Sequence, residues 1–343
     1  MKALTLTEYN HISYGDVPDP QVEDDEVLVR VRACGICGSD VHGMDGSTGR
    51  RRPPVIMGHE AAGVVAATGK HVDGWCEGDR VTFDSTISCG VCWFCRHGKI
   101  NLCDNRRVLG VSCEDYRQAG AFAEYVALPA RILYRLPDAV SFEQAAMVEP
   151  ISVAVHAANL TPVSLGDTAV VVGAGMVGLL VVQALRVAGC GQIIAVDLEP
   201  AKLKLSESLG ADAGLKADEC DVPAEVRRLT EGRGADVAVE VVGLAATLKT
   251  AIASLRKGGA LTLVGNLQPS VEIPLQAVVT RQLTLAGSCA SNGEYPACLG
   301  LLARKAIHTG PLVSATPPLM EGAAWFKRLY AREPGLLKVI LEC

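Results

Sequence analysis

Six side chains able to bind a metal or carry a proton crowd into one stretch of this chain. Between Cys34 and Glu60 it reads CGICGSDVHGMDGSTGRRRPPVIMGHE, with a thiol at Cys37, a hydroxyl at Ser39, a carboxylate at Asp40, an imidazole at His42, and the adjacent pair His59 and Glu60. Cysteine, histidine and glutamate are ligands that zinc takes in catalytic sites, where three protein groups leave a fourth position for water or substrate. Alone, Cys37 would read as a buried thiol and His59 as a core histidine. Their concentration on glycine-flanked loops points instead to a metal.

A second group, Cys89, Cys92, Cys95 and Cys103, follows C-x2-C-x2-C-x7-C in a loop poor in core-forming residues. Four thiolates so spaced can close a tetrahedral zinc site with no open position, which makes the ion structural; an iron–sulfur cluster is the competing reading. Thirteen cysteines, an odd number in a long chain with four of them clustered, indicate metal binding in a reducing compartment rather than disulfides. The remaining cysteines read as small hydrophobes.

A third signal is TAVVV running into Gly173-Ala174-Gly175-Met176-Val177-Gly178 and a long apolar helix. In a G-x-G-x-x-G turn the first glycine permits the turn, the second admits a pyrophosphate and the third lets helix pack on strand. Asp197 ends the next apolar run 24 residues after Gly173, near the usual offset for the acid that holds the ribose 2′-hydroxyl. A carboxylate there repels a 2′-phosphate, so NAD is expected over NADP, with Lys202 in reach of the same ribose. Val264 and Gly265, closing the run GALTLVG, complete the expected cofactor contacts.

These groups need a framework, and the chain is long enough for two domains. It has 343 residues, 49% hydrophobic and 20% charged, with net charge −6. That balance, with no basic run beyond Arg50, Arg51 and Arg52, argues against nucleic acid and anionic membrane as partners. No signal-like start or membrane-length apolar run is present, so a soluble cytoplasmic protein is expected. The first 150 residues carry short alternating runs such as EVLVRVRAC, AAGVVAATG and DRVTF between Pro, Gly and Asp clusters, the texture of a β-rich barrel-like domain. From about 151 to 287, buried-strand runs (TAVVVGAG, GQIIAVD, ADVAVEVVG, GALTLVG, QLTLAG) alternate with helical stretches, among them AATLKTAIASLRKGG. The expected class is α/β with a doubly wound parallel sheet, and the texture changes again over 288–343.

CGICGSDVH, VIMGHEAAGVV, GDRV, the four-cysteine lobe, GAFAEYV, MVEPISVAVHA and GAGMVG occur in this order along essentially the whole chain. Together they resemble the zinc-dependent medium-chain dehydrogenases, and within them the sorbitol (polyol) and galactitol-1-phosphate dehydrogenase branch. The resemblance implies a GroES-like catalytic domain over 1–150 and 288–343, and a Rossmann NAD-binding domain over 151–287. Cys37 and His59 match the first two catalytic zinc ligands. Glu60 matches a glutamate that ligates zinc or exchanges with water, and Glu149, in VEPIS, stands where alcohol dehydrogenases have a third ligand cysteine. Asp40 matches the carboxylate that orients the ligand histidine, and Ser39 and His42 match the relay that carries the alcohol proton outward.

The implied cofactors are NAD and two zinc ions, one catalytic and one structural. The implied partner is a small alcohol substrate, in a homo-oligomer, dimer or tetramer. An arginine that helps sorbitol dehydrogenases hold the polyol is missing from Gly287 to Tyr295. Arg50 to Arg52 are expected to be a solvated loop, with substrate phosphate binding as the second reading. The expected reaction is hydride transfer from a secondary alcohol of a small polyol, free or phosphorylated, to NAD. Threonine 3-dehydrogenase or 2,3-butanediol dehydrogenase activity is the alternative within enzymes, and a non-catalytic nucleotide-binding relative the alternative outside them.

Overall fold

The computed structural model describes residues 1–343, which form two compact units. The first comprises Met1–Glu149, Tyr295–Arg304 and Thr309–Cys343; the second comprises Pro150–Glu294 and Lys305–His308.

The first unit is organised on the strand Glu26–Gly35. Its alternation puts Val27, Val29, Val31 and Ala33 inside and Arg30 and Arg32 outside, so one face has a core to seal and the other faces water. It lies in a seven-stranded sheet of order Leu133–Arg135, Arg80–Phe83, Glu60–Thr68, Glu26–Gly35, Lys338–Glu342 and Val313–Ala315, with Tyr125–Pro129 also paired to the central strand. Tyr125–Pro129 takes the first half of one edge of the Glu26–Gly35 strand, and Lys338–Glu342 takes the last three residues. A three-stranded sheet of Lys2–Glu8, His11–Asp16 and Val55–Ile56 packs its apolar residues into the same core. There Phe122 and Phe326 meet edge to face at 5.6 Å. Burying aromatic side chains of this size contributes about 1.5–3 kcal/mol each.

The second unit is a six-stranded, all-parallel sheet. Its order is Ala213–Lys216, Gln192–Asp197, Thr168–Val172, Ala235–Glu240, Leu255–Leu263 and Thr284–Gly287. Thr168–Val172 is buried at all five residues, as a strand covered on both faces must be. It is also first in sequence and central in space, so the strand order reverses beside it, where doubly wound sheets bind ligands at the strands' carboxyl ends.

Two local expectations are corrected. AATLKTAIASLRKGG is not helical throughout: the helix stops at Ser254 and Leu255–Leu263 is a strand. The register jumps between Ala235↔Leu255 and Val237↔Ala260, and Gly258, at φ 70°, lets the extra residues bulge. Cys76 and Cys289 are exposed rather than core residues, unlike the buried Cys34, Cys190 and Cys298. No helix is long and apolar enough to cross a membrane.

Candidate active site and a four-cysteine cluster

Sheet register in the first unit brings together groups that are far apart in sequence. Glu26–Gly35 runs antiparallel to Glu60–Thr68 with Gly35 opposite Glu60, and antiparallel to Lys338–Glu342 with Gly35 opposite Ile340. The chain ends of all three strands therefore meet just beyond Gly35. Cys37, His59 and Glu60 consequently place their ligand atoms within 4.8 Å of one another. The backbone at Gly58 must be a left-handed glycine, at φ 94°, because a Cβ there would lie 2.8 Å from the Phe122 nitrogen. The motif GHE thus has a packing reason for its first residue and a chemical one for the next two.

Cys37 is the N-cap of the short helix Gly38–Gly43, and its sulfur accepts from the Ser39 backbone N–H at 3.4 Å and from the Ser39 hydroxyl at 3.2 Å. Ser39 and His42 are both exposed and sit three residues apart on that helix, which puts them on one face. Asp40, on the inward side of the helix, is fully buried, with one carboxylate oxygen 3.4 Å from His59 Nδ1. Burial opposes ionisation of Asp40, but the charges of His59 and then Arg51 hold its carboxyl well below the usual range. Burial likewise opposes protonation of His59, and Asp40 followed by Cys37 outweighs it, raising the imidazole well above its ordinary value. His59 Nδ1 and Asp40 Oδ2 complete no hydrogen bond, so this buried pair has donor and acceptor capacity to spare. A histidine that gives its other nitrogen to a metal and leans on a carboxylate is the usual zinc arrangement, and the donor set fits that ion.

Glu60 is also held by a cation that the sequence alone did not reveal. Lys338 Nζ lies 2.5 Å from Glu60 Oε2 and donates to the Ile36 carbonyl at 3.0 Å, with both charged side chains almost fully buried. Burial works against the ammonium, but Glu60 and then Cys37 keep its pKa raised. The available signal was a lone lysine inside the apolar run LLKVILEC. Glu149, in the first turn of the helix Val148–Leu160, is half-buried and stands outside the tight trio. Its carboxylate accepts from the Ser85 hydroxyl at 3.4 Å. Desolvation pushes the Glu149 carboxyl up to about 7, with His59 opposing and Glu60 reinforcing the shift.

The expected solvated loop at Arg50 to Arg52 is corrected at its middle residue. Arg50 is exposed and Arg52 makes an exposed 3.6 Å contact with Glu114, but Arg51 is buried, with its guanidinium on Asp40 at 2.8 and 3.2 Å. A guanidinium committed in this way has no free edge for a substrate phosphate.

The second cluster lies in the same unit. The sulfurs of Cys89, Cys92, Cys95 and Cys103 all fall within 4.8 Å of one another. The Cys89 N–H donates to the Cys103 sulfur at 3.2 Å and the Cys92 N–H to the Cys89 sulfur at 3.4 Å. N–H groups of Val91 and Cys92 stabilise the thiolate of Cys89 and bring its pKa down to about 6. Four sulfurs so gathered, with no disulfide among them, fit a closed tetrahedral zinc site.

In the second unit, Gly173, Ala174 and Gly175 bridge Thr168–Val172 and the helix Met176–Ala188, in which Met176, Val177 and Gly178 form the first turn. Gly173 is left-handed, at φ 102°, and a Cβ on Gly178 would lie 1.9 Å from its carbonyl oxygen, so neither position tolerates a side chain. Asp197 reaches back to this turn, accepting from the Ala174 N–H at 2.7 Å and from the N–H groups of Leu198 and Glu199 at 2.8 and 3.0 Å. Lys202, expected within reach of the ribose, is paired with the exposed Glu199 at 2.6 Å. Val264 and Gly265 both donate to the Glu240 carbonyl, at 2.8 and 3.1 Å. The Glu240 side chain in turn accepts from the N–H groups of Val242 and Gly243 and from the Thr247 hydroxyl, which ties down the loop after its own strand.

Two family models match: an alcohol dehydrogenase GroES-like domain over residues 23–138 and a zinc-binding dehydrogenase over 176–304. Sorbitol dehydrogenase of Bacillus subtilis (strain 168) is 37% identical, with 95% of this chain and 94% of that protein aligned. Among solved structures, a zinc-binding dehydrogenase from Sinorhizobium meliloti 1021 bound to NADP has a TM-score of 0.91 and 32% identity, covering 100% of this chain and 99% of that one. Galactitol-1-phosphate dehydrogenase from Escherichia coli has a TM-score of 0.93 and 26% identity, and each chain is covered completely. With a relative this similar over nearly the whole length, and with two units of the matching architectures, the chain belongs to the zinc-dependent medium-chain dehydrogenases, in the branch of the polyol dehydrogenases.

Proposed function

We propose that this zinc- and NAD(P)-dependent alcohol/polyol dehydrogenase oxidises a secondary alcohol of a small polyol, and that its physiological acceptor is NAD. The observation that carries the polyol is the ligand set. One thiol, one imidazole and one carboxylate make a harder site than two thiols and an imidazole, and oxygen-containing sites suit chelation by vicinal hydroxyls. Cys37, His59 and Glu60, with Glu149 as a further carboxylate, would hold the catalytic ion; Cys89, Cys92, Cys95 and Cys103 would hold the structural one. When bound, zinc supplies Lewis acidity at a substrate oxygen and NAD supplies the hydride acceptor.

The chain's own groups do the remaining work. Asp40 orients His59 and keeps it in register with Cys37. The exposed Ser39 hydroxyl, beside the Cys37 sulfur, would take up the alcohol proton as it gives up its own, and the exposed His42, one turn along the same helix, would take that released proton on to solvent. The Gly173–Gly178 turn and the helix that it opens receive the pyrophosphate, and Asp197 receives the adenine-side ribose. A carboxylate there disfavours a 2′-phosphate, which supports NAD although one relative binds NADP. The phosphorylated substrate loses support because Arg51 is engaged with Asp40.

A homo-oligomer, dimer or tetramer, in the cytoplasm completes the proposal. The edge strand Thr284–Gly287 has an open side, and the segment leading into it exposes Leu267, Ile273, Leu275 and Val279. Proteins cover edges of this kind, and sedimentation gives the mass.

The test is an NAD-reduction screen over polyols, sugar phosphates, diols and amino alcohols, with Cys37→Ala and His59→Ala as controls. Turnover on vicinal diols, lost in both variants while NADH binding persists, is the expected result. Strong turnover of ethanol with none on any vicinal diol would overturn the polyol assignment.

A further inference from the structure

Arg51 belongs to a sequence of three arginines that reads as a charged surface loop, yet it is 4% exposed while its neighbours face solvent. Its backbone is pinned first. The Ser112 N–H donates to the Arg50 carbonyl at 3.2 Å and the Arg52 N–H donates to the Ser112 carbonyl at 2.9 Å, a two-bond bridge on either side of Arg51. The side chain then runs inward past Gly43, where an added Cβ would meet Arg51 Cγ at 2.6 Å. At the end of this path the guanidinium uses three edges. Nε and Nη2 donate to Asp40 Oδ1 at 3.2 and 2.8 Å, Nη1 donates to the Arg50 carbonyl at 3.0 Å, and Nη2 reaches the Ser39 hydroxyl oxygen at 3.5 Å.

Asp40 stands behind His59 and Ser39 stands beside Cys37. We infer that Arg51 is a positioning residue for the catalytic metal centre: one guanidinium fixes the carboxylate that aims His59 and, more loosely, reaches the hydroxyl that contacts Cys37. Asp40 Oδ1 lies between a fixed fork of donors on one side and His59 Nδ1 on the other, so its carboxylate cannot rotate away from the ring without losing the fork. Partners that touch a metal ligand, as Asp40 and Ser39 do, change metal affinity or activity by roughly 10–100-fold when removed, and Arg51, which acts through them, is expected to fall at the lower end of that range. A lysine could supply the charge but not the fork.

This role rests on Cys37 and His59 forming the catalytic zinc site, so the experiment tests that reading separately. Zinc release from the holoenzyme to a chromogenic chelator is followed for wild type, Cys37→Ala, Arg51→Gln, Arg51→Lys and Gly43→Ala. Two phases are expected, from the two clusters, and the phase absent in Cys37→Ala identifies the catalytic ion; if no phase disappears, the site reading itself fails. In Arg51→Gln, which acts on the ligands through Asp40 and Ser39, that phase is expected to quicken by up to about 10-fold, the lower end of the range for a ligand's own partner, with the four-cysteine phase unchanged and kcat falling far more than KM. Arg51→Lys should recover part of the loss. Gly43→Ala, which pushes on Arg51 without touching Asp40, should quicken the same phase to a smaller degree, and it carries the test if Arg51→Gln does not fold. A catalytic phase unchanged in Arg51→Gln or in Gly43→Ala, or both phases quickened equally, would overturn the inference while leaving the zinc site in place.

Discussion

Replacing Lys338 by Met should expose how strongly the buried Glu60 carboxylate depends on its cation. Lys338 Nζ sits 2.5 Å from Glu60 Oε2, and the two side chains are only 3% and 2% exposed, so water cannot take over from a lost partner. Removing one member of such a pair leaves an uncompensated buried charge, at a cost of about 3–5 kcal/mol. The Ile36 carbonyl loses its donor as well. For a unit of this size, between 150 and 250 residues, each kcal/mol corresponds to roughly 2–4 °C in Tm, which gives a fall of roughly 6–20 °C. The assay is thermal unfolding followed by tryptophan fluorescence, on protein stripped of catalytic zinc and on protein loaded with it. The loss should be full in the stripped protein and smaller in the loaded one, where a zinc held by Glu60, as proposed, would stand in for the ammonium as the carboxylate's cation. Lys338→Met/Glu60→Gln should recover most of the loss, because no charge is then stranded. A stripped Lys338→Met protein within about 2 °C of wild type, or a double variant no more stable than the single one, would refute the reasoning.

Cys95→Ser should lower thermal stability by several degrees while leaving turnover per folded molecule nearly unchanged, because a closed four-sulfur site offers no position to substrate; differential scanning calorimetry with active-site titration checks this, and iron–sulfur absorption in the purified protein would contradict it. Asp197→Ala should weaken NADH binding, read by fluorescence titration, and narrow the gap between NAD and NADP, since it removes an acceptor and a repelling charge together and also releases the Ala174 N–H. Asp236 is buried, which alone would raise its pKa, but Arg256, the Thr168 N–H and Arg233 outweigh burial and hold the carboxyl below its ordinary range. Its stabilisation is therefore present above the usual carboxylate range and is lost as pH falls through the lowered value. Asp236→Asn should cost about 1–3 kcal/mol at pH 7, with the difference from wild type shrinking on acidification in denaturant titrations.

Features whose parts are neighbours in sequence were legible without coordinates. The four cysteines span a single loop, and the turn Gly173–Gly178 with its flanking strand and helix is one continuous segment, so spacing alone anticipated that the four sulfurs gather and that a glycine turn joins strand to helix. The parallel sheet was legible for the same reason, because uninterrupted apolar runs like TAVVV need cover on both faces. The strand at Leu255 was not, since its first residues, Leu255-Arg256-Lys257-Gly258-Gly259, carry neither period clearly and a register bulge absorbs them.

Cys37, His59 and Glu60 were nameable as ligands by type and by resemblance, but only the antiparallel register that sets Gly35 against Glu60 and Ile340 puts them within 4.8 Å. That same register delivers Lys338 from the far end of the chain, a placement that no local pattern encodes. Arg51 shows the limit from the other direction. Three consecutive arginines look alike as sequence, and it is the bridge to Ser112, the space above Gly43 and the buried carboxylate of Asp40 that turn the middle one inward. Residue types set which groups could bind a metal or move a proton; burial and register, which depend on the whole fold, decided which charges had to find one another.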